Sequence, residues 1–142
     1  MSAVAAIAVA VTFVWAGMVL AISFLETPLK FKAPGVTLKV GLGIGKVVFG
    51  ALNRVEAVLA VALAAMIVVE MPSPVVSVLA VVAIAAFVVQ VAVVRPWMRR
   101  RTNQALSGQR TKRSRRHLVF VGFEVLKVIA LCVAGFAFQL TT

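Results

Sequence analysis

Long apolar runs alternate with short polar stretches along this chain of 142 residues. The first run is Ala3 to Leu25, and a membrane-spanning helix needs about 20 such residues. The others run from about Gly50 to Val69, Val75 to Val94 and His117 to Leu140. Helix breakers punctuate them: Pro28 and Pro34-Gly35 after the first, Glu70-Met-Pro72-Ser-Pro74 after the second, and Arg95-Pro96-Trp97 after the third. The pattern predicts an all-α fold, a four-helix transmembrane bundle forming one integral membrane domain over residues 1–142, with connecting loops at 26–49 and 95–116. The first run has no basic residue ahead of it and is longer than a signal-peptide core, so it reads as an uncleaved helix.

Finer periodicity adds three expectations. Between Val36 and Phe49 the positions Val40, Ile44 and Val47 recur at helical steps, while Lys39, Gly43 and Lys46 share another face. That predicts an interfacial amphipathic helix before the second span. Thr12, Trp15, Val19, Ser23 and Glu26 fall on one face of the first helix, which should turn toward the bundle. Trp15 sits mid-run rather than at an interface, so it reads as a packing residue. In the fourth span His117, Phe120, Glu124, Lys127 and Leu131 share a face.

Composition agrees with a bilayer as the solvent. Hydrophobic residues make up 63% and charged residues 13%, against roughly 25% charged in soluble domains. The net charge of +11 comes from 15 Lys and Arg against 4 acidic residues. Its placement argues against nucleic acid as the partner. The basic residues crowd into loops 26–49 and 95–116, with no aromatic interleaving, whereas the 70–74 turn and both termini carry none. By the positive-inside rule both loops lie in the cytoplasm and both termini outside, as in a bacterial-type plasma membrane. Arg99, Arg100, Arg101, Arg110, Lys112, Arg113, Arg115 and Arg116 are then candidates for contact with anionic lipid headgroups.

Several chemistries find no support. Cys132 is the sole cysteine and His117 the sole histidine, so the chain has no metal-ligand spacing and no bis-histidine haem site. No cofactor is implied. Gly41-Leu-Gly-Ile-Gly-Lys46 is not a phosphate-binding loop, because Val47 stands where Ser or Thr is required and no strand precedes it. Its glycines suit close helix packing.

What remains is a set of polar residues inside the spans. Asn53, Arg54 and Glu56 lie one to two turns inside the second, Gln90 one turn inside the third, and Glu26 ends the first. Glu124 and Lys127 lie about 10 and 15 Å into the fourth. All belong to the half of the bundle nearer the basic loops. The formal charges of Arg54, Glu56, Glu124 and Lys127 cancel, and a lone charge at a helix centre costs about 2.5–3.5 kcal/mol. Pairing is therefore expected, Glu56 with Lys127 or Arg54 with Glu124, or Glu124 with Lys127 three residues on. Arg54 and Glu56 are about 200° apart on a helix, and Arg54 is free to snorkel toward headgroups. The cluster reads either as a structural clasp or as a polar vestibule.

With the spans placed, the chain resembles the transmembrane protein 205-like family, a four-span domain of unknown function. The resemblance rests on Trp15-Ala16-Gly17, on Phe31 to Phe49 with its Pro34-Gly35, on Arg95-Pro96 with the basic loop that follows, and on His117 opening span four. Phe120 and Glu124 depart from it, standing where Ser and Asn are expected, and no catalytic residue carries over. Three function classes stay open: a non-enzymatic membrane protein stabilised by its polar cluster, an oligomeric transporter of a small solute, ion or proton, and a membrane enzyme. The last has the least support, since no nucleophile–base pair or metal set is visible.

Overall fold

A computed structural model gives the structure of residues 2–94 and 115–141. The first spanning helix is composite. Helix α1 (Ala3–Val19) continues without a break into a π-helical segment, Leu20–Glu26, and ends in a single α-turn, Thr27–Lys30. Helix α2 is Leu38–Glu70 and helix α3 is Pro74–Val89, extended by a second π-helical segment, Gln90–Val94. Helix α4 is Arg115–Thr141. Four helices are long and apolar enough to cross a membrane: Ala3–Lys30, Leu38–Glu70, Pro74–Val93 and Leu118–Thr141. No strand occurs among the described residues. The expected four-helix bundle is the observed one.

The helix ends follow from local chemistry. Ser2, Thr37 and Ser73 cap α1, α2 and α3, each side-chain oxygen accepting a backbone N–H of the first turn. Pro74 occupies the first turn of α3, where its missing N–H costs nothing. Helix α2 stops at Met71, held left-handed at φ 46° and ψ 59°, with Pro72 behind it.

Both π-helical segments end two residues before a proline: Glu26 precedes Pro28, and Val94 precedes Pro96. A proline inside a helix lacks an N–H and its ring strikes the carbonyl four residues back. Widening the preceding turn relieves that clash. At the first segment the carbonyl of Ile22 accepts the Thr27 backbone N–H and also the Thr27 hydroxyl, the latter at 2.8 Å. Sequence reading treated these prolines only as helix ends. The structure shows the first helix running through Pro28 instead.

The bundle closes in chain order, with α2 packed on α1, α1 on α4 and α4 on α3, while α3 touches α2 more sparingly. Helices α1 and α3 stand on one diagonal, α2 and α4 on the other. Small residues form much of the inner surface: Ala5, Ala8, Ala16, Ala60, Ala80, Ala83, Ala86, Ala130 and Ala134 are all buried. Such residues let apolar helices approach closely in lipid, where hydrophobicity alone does not hold them together.

The expected interfacial helix is present as helix, but it is not separate. It forms the start of α2, which runs unbroken for 33 residues, about 50 Å against a hydrocarbon core of about 30 Å. Gly41 and Gly45 serve close packing there. A Cβ on Gly41 would overlap the Phe31 ring, and one on Gly45 would come within 2.9 Å of Lys30 Nζ. The Lys30 ammonium lies 5.5 Å from the Phe31 ring centre and 6.0 Å from that of Phe49. The segment leaving the first helix is thereby latched against the start of α2. Gly43 meets nothing within 4 Å and takes no part in the latch.

Candidate functional site

Lys127 lies on the axis of the bundle with 0% of its surface exposed. Its ammonium donates to Glu56 Oε1 of α2 at 2.5 Å and contacts Glu124 Oε1, one turn earlier on α4, at 2.7 Å. The first contact joins the two helices across the bundle. Glu56 also accepts the indole N–H of Trp15 from α1, at 2.9 Å. Glu124 Oε1 accepts Gln90 Nε2 from the start of the second π-helical segment, at 2.7 Å. Glu124 Oε2 faces Ser23 of the first π-helical segment, whose hydroxyl donates to it at 2.5 Å. All four spanning helices meet in this one network, and Glu56, Gln90, Glu124 and Lys127 are all buried.

Aromatic rings floor the cluster. Phe87 lies 5.6 Å below the Lys127 ammonium, and Trp15 meets Phe87 edge to face at 6.1 Å. Beyond them toward the Ser2–Glu70 end the interior is apolar, built of Ala5, Ala8, Val9, Val76 and Phe138. Toward the other end, Ser23 and Gln90 rise from the cluster to the two π-helical segments.

The structure brings together four of the residues expected to cluster, Glu56, Gln90, Glu124 and Lys127, and it forms two of the expected pairs, Glu56 with Lys127 and Glu124 with Lys127. It leaves out the other three. Arg54 is exposed on α2, as its rotation of about 200° from Glu56 requires once Glu56 points inward. The pairing of Arg54 with Glu124 is thus corrected, and with it the charge balance: the buried groups are two carboxyls and one ammonium. Asn53 is half-buried and makes no hydrogen bond to the cluster. Glu26 faces Lys30 of its own helix at 3.7 Å instead.

Two participants were not assigned a polar role from the sequence. Trp15 was read as packing, and it does pack, but its indole N–H also fixes Glu56. Ser23 was placed on the bundle-facing side of its helix without a partner. The signal for both was that face itself, since a donor on a buried face must find an acceptor. Of the residues proposed to meet lipid headgroups, Arg99, Arg100, Arg101, Arg110, Lys112 and Arg113 lie outside the described residues, as do the side chains of Arg115, Arg116 and His117, whose backbone opens α4.

Among the described residues no group of three or more His, Cys, Asp and Glu is arranged to hold a metal ion. No family model, curated protein or solved structure matches the chain.

Proposed function

We propose that this is a multi-pass protein of a bacterial-type plasma membrane that takes up and releases a proton at Glu124, as a proton transporter working as an oligomer. On this reading loops 26–49 and 95–116 are cytoplasmic and both termini lie outside, as the distribution of basic residues supports. Membership of the transmembrane protein 205-like family belongs to the same proposal, on the motifs alone.

One observation carries the reading: two buried carboxyls share one buried ammonium. A clasp between helices needs one of each. The second carboxylate would leave an unbalanced charge in a low-dielectric interior, which is strongly disfavoured. A proton removes it. The geometry points to Glu124 as the group that holds it. The observed partners of Glu56, an indole N–H and an ammonium, both donate to its Oε1, and neither can accept a proton from it. Ser23 is different, because a hydroxyl both donates and accepts. Glu124 can thus sit against it as carboxylate or as carboxyl without losing the bond. Losing the proton would tighten the hold of Glu124 on Lys127, and gaining it would leave Lys127 to Glu56. That exchange is a two-state element of the kind a carrier needs.

Proteoliposomes with an internal pH dye test this under an imposed inside-negative potassium diffusion potential. Native protein is expected to acidify the lumen faster than empty liposomes, and Glu124→Gln to fall to the empty-liposome level while keeping its helical circular dichroism. Native protein that moves no protons, or a Glu124→Gln variant as fast as native, would overturn the proposal. The rival reading, a purely structural clasp, draws support from how fully the cluster is hydrogen-bonded. Where native protein moves protons, the double variant Glu56→Leu/Lys127→Met separates the two: movement that persists lies outside the cluster and leaves it a clasp, and movement that disappears belongs to the cluster.

A further inference from the structure

Ser23 and Glu26 leave the same π-helical segment one turn apart. Ser23 is hydrogen-bonded to Glu124 Oε2 at 2.5 Å. Glu26 stands at the end of that segment with 34% of its side chain exposed, so one part of it meets the surroundings. The other part does not: Glu26 Oε2 is buried and accepts no hydrogen bond among the described residues. Its cation, Lys30 Nζ, stays at 3.7 Å, drawn aside over the rings of Phe31 and Phe49. The buried Oε2 is the oxygen that faces this ammonium, at ion-pair range and without a hydrogen bond, while part of the same side chain is exposed.

We infer that Glu26 is the proton-exchange residue of this site, passing protons through Ser23 to Glu124. The inference rests on Glu124 being the proton-holding group. A proton from water first binds the Glu26 carboxylate. Glu26 then passes a proton to Ser23 Oγ, directly or over one water, as the Ser23 hydroxyl releases its own proton to Glu124 Oε2. Glu26 is again a carboxylate, Ser23 again a hydroxyl, and Glu124 a neutral carboxyl. Reversal of the same steps empties the site. Phe87 and Trp15 lie on the other side of the Lys127 ammonium and the Glu56 carboxylate. Glu26 and Ser23 position and relay the proton, and the cluster holds it.

Infrared spectroscopy of the purified protein in lipid, transferred from H2O to D2O, tests the relay without any transport assay. Native protein is expected to show a neutral carboxyl band that Glu124→Gln removes and that shifts rapidly on deuteration. Glu26→Gln and Ser23→Ala should keep the band and slow its deuteration by about 100-fold, the scale of a positioned proton-transfer group. Ser23→Thr, which keeps the hydroxyl, should restore the rate. Deuteration at the native rate in both Glu26→Gln and Ser23→Ala overturns the relay and leaves the proton on Glu124 intact. Absence of any band sensitive to Glu124→Gln overturns the proton-holding reading, and the relay falls with it.

Discussion

Toward the Ser2–Glu70 end the helices meet through Ala5, Ala8, Val9, Val76 and Phe138; nearer the opposite end they meet through Ser23, Glu56, Gln90, Glu124 and Lys127. Both halves are buried, and different forces hold them. In the apolar half cohesion comes from close approach of small side chains, because lipid is as apolar as the residues it would replace. Contacts of that kind are numerous and individually weak, and sliding by one turn exchanges one alanine for another. The polar half has few contacts and each is directional. Lys127 at the axis accepts only an arrangement in which Glu56 comes from α2 while Glu124 meets Gln90 of α3 and Ser23 of the first helix. The apolar half makes the bundle compact, and the polar half specifies which helix stands where and at what rotation.

The sharpest way to break this comparison is Lys127→Met. Removing the ammonium leaves two buried carboxyls facing each other, and loss of one partner from a buried pair costs about 3–5 kcal/mol. Glu56→Leu/Lys127→Met should recover most of that, since exchanging a whole buried pair for apolar groups is often close to neutral. In the double variant Glu124 keeps its bonds to Gln90 and Ser23. Reversible unfolding in mixed micelles reads both variants. If the single variant is as stable as native, the polar half does not hold the helices in place.

Legibility from the sequence followed the same division. The spans, the inward faces of α1 and α4, and the pairing of Lys127 with Glu56 and Glu124 were all readable, because unbroken apolar runs make every internal charge conspicuous. Counting charges went astray at Arg54. Formal cancellation suggested four partners, although the helical angle between Arg54 and Glu56 already allowed only one of them to face inward. The angle was the better guide, since burial depends on which way a residue points and not on the sum. The π-helical segments escaped notice because proline was taken to end a helix. In lipid a helix has reason to continue through proline, because a broken backbone exposes groups that no water satisfies. The Thr27 hydroxyl adds a second bond to the Ile22 carbonyl beside the backbone N–H, and a Thr directly before Pro28 was there to be read.

A middle-sized effect tests the other half. Ala8 is completely buried between helices, and Ala8→Leu forces extra volume into that contact, at a cost of about 1–3 kcal/mol. The same micelle titration measures it. The loss should add to that of Lys127→Met in the combined variant, as expected for sites that share no partner. A combined loss clearly unlike the sum would show that the two halves are one cooperative unit and that the division drawn here is too sharp.

The smallest effect lies at the turn where the apolar half ends. Met71 closes α2 with φ at 46°, the only non-glycine residue with positive φ among the described residues. Its N–H reaches back to the Ile67 carbonyl at 2.9 Å, so the cap is well formed but carried by a residue that pays about 1–2 kcal/mol for the left-handed conformation. Glycine adopts it without that strain and is the usual choice at such a cap. The Met71 side chain is 82% exposed and packs little, so Met71→Gly removes strain at small loss of contact, offset in part by the greater freedom glycine brings to the unfolded chain. The expected net effect is a stabilisation of about 0.5–1 kcal/mol. A destabilisation would mean that the exposed methionine holds the turn through contacts with lipid, and the apolar half would then owe part of its order to the bilayer and not to its alanines alone.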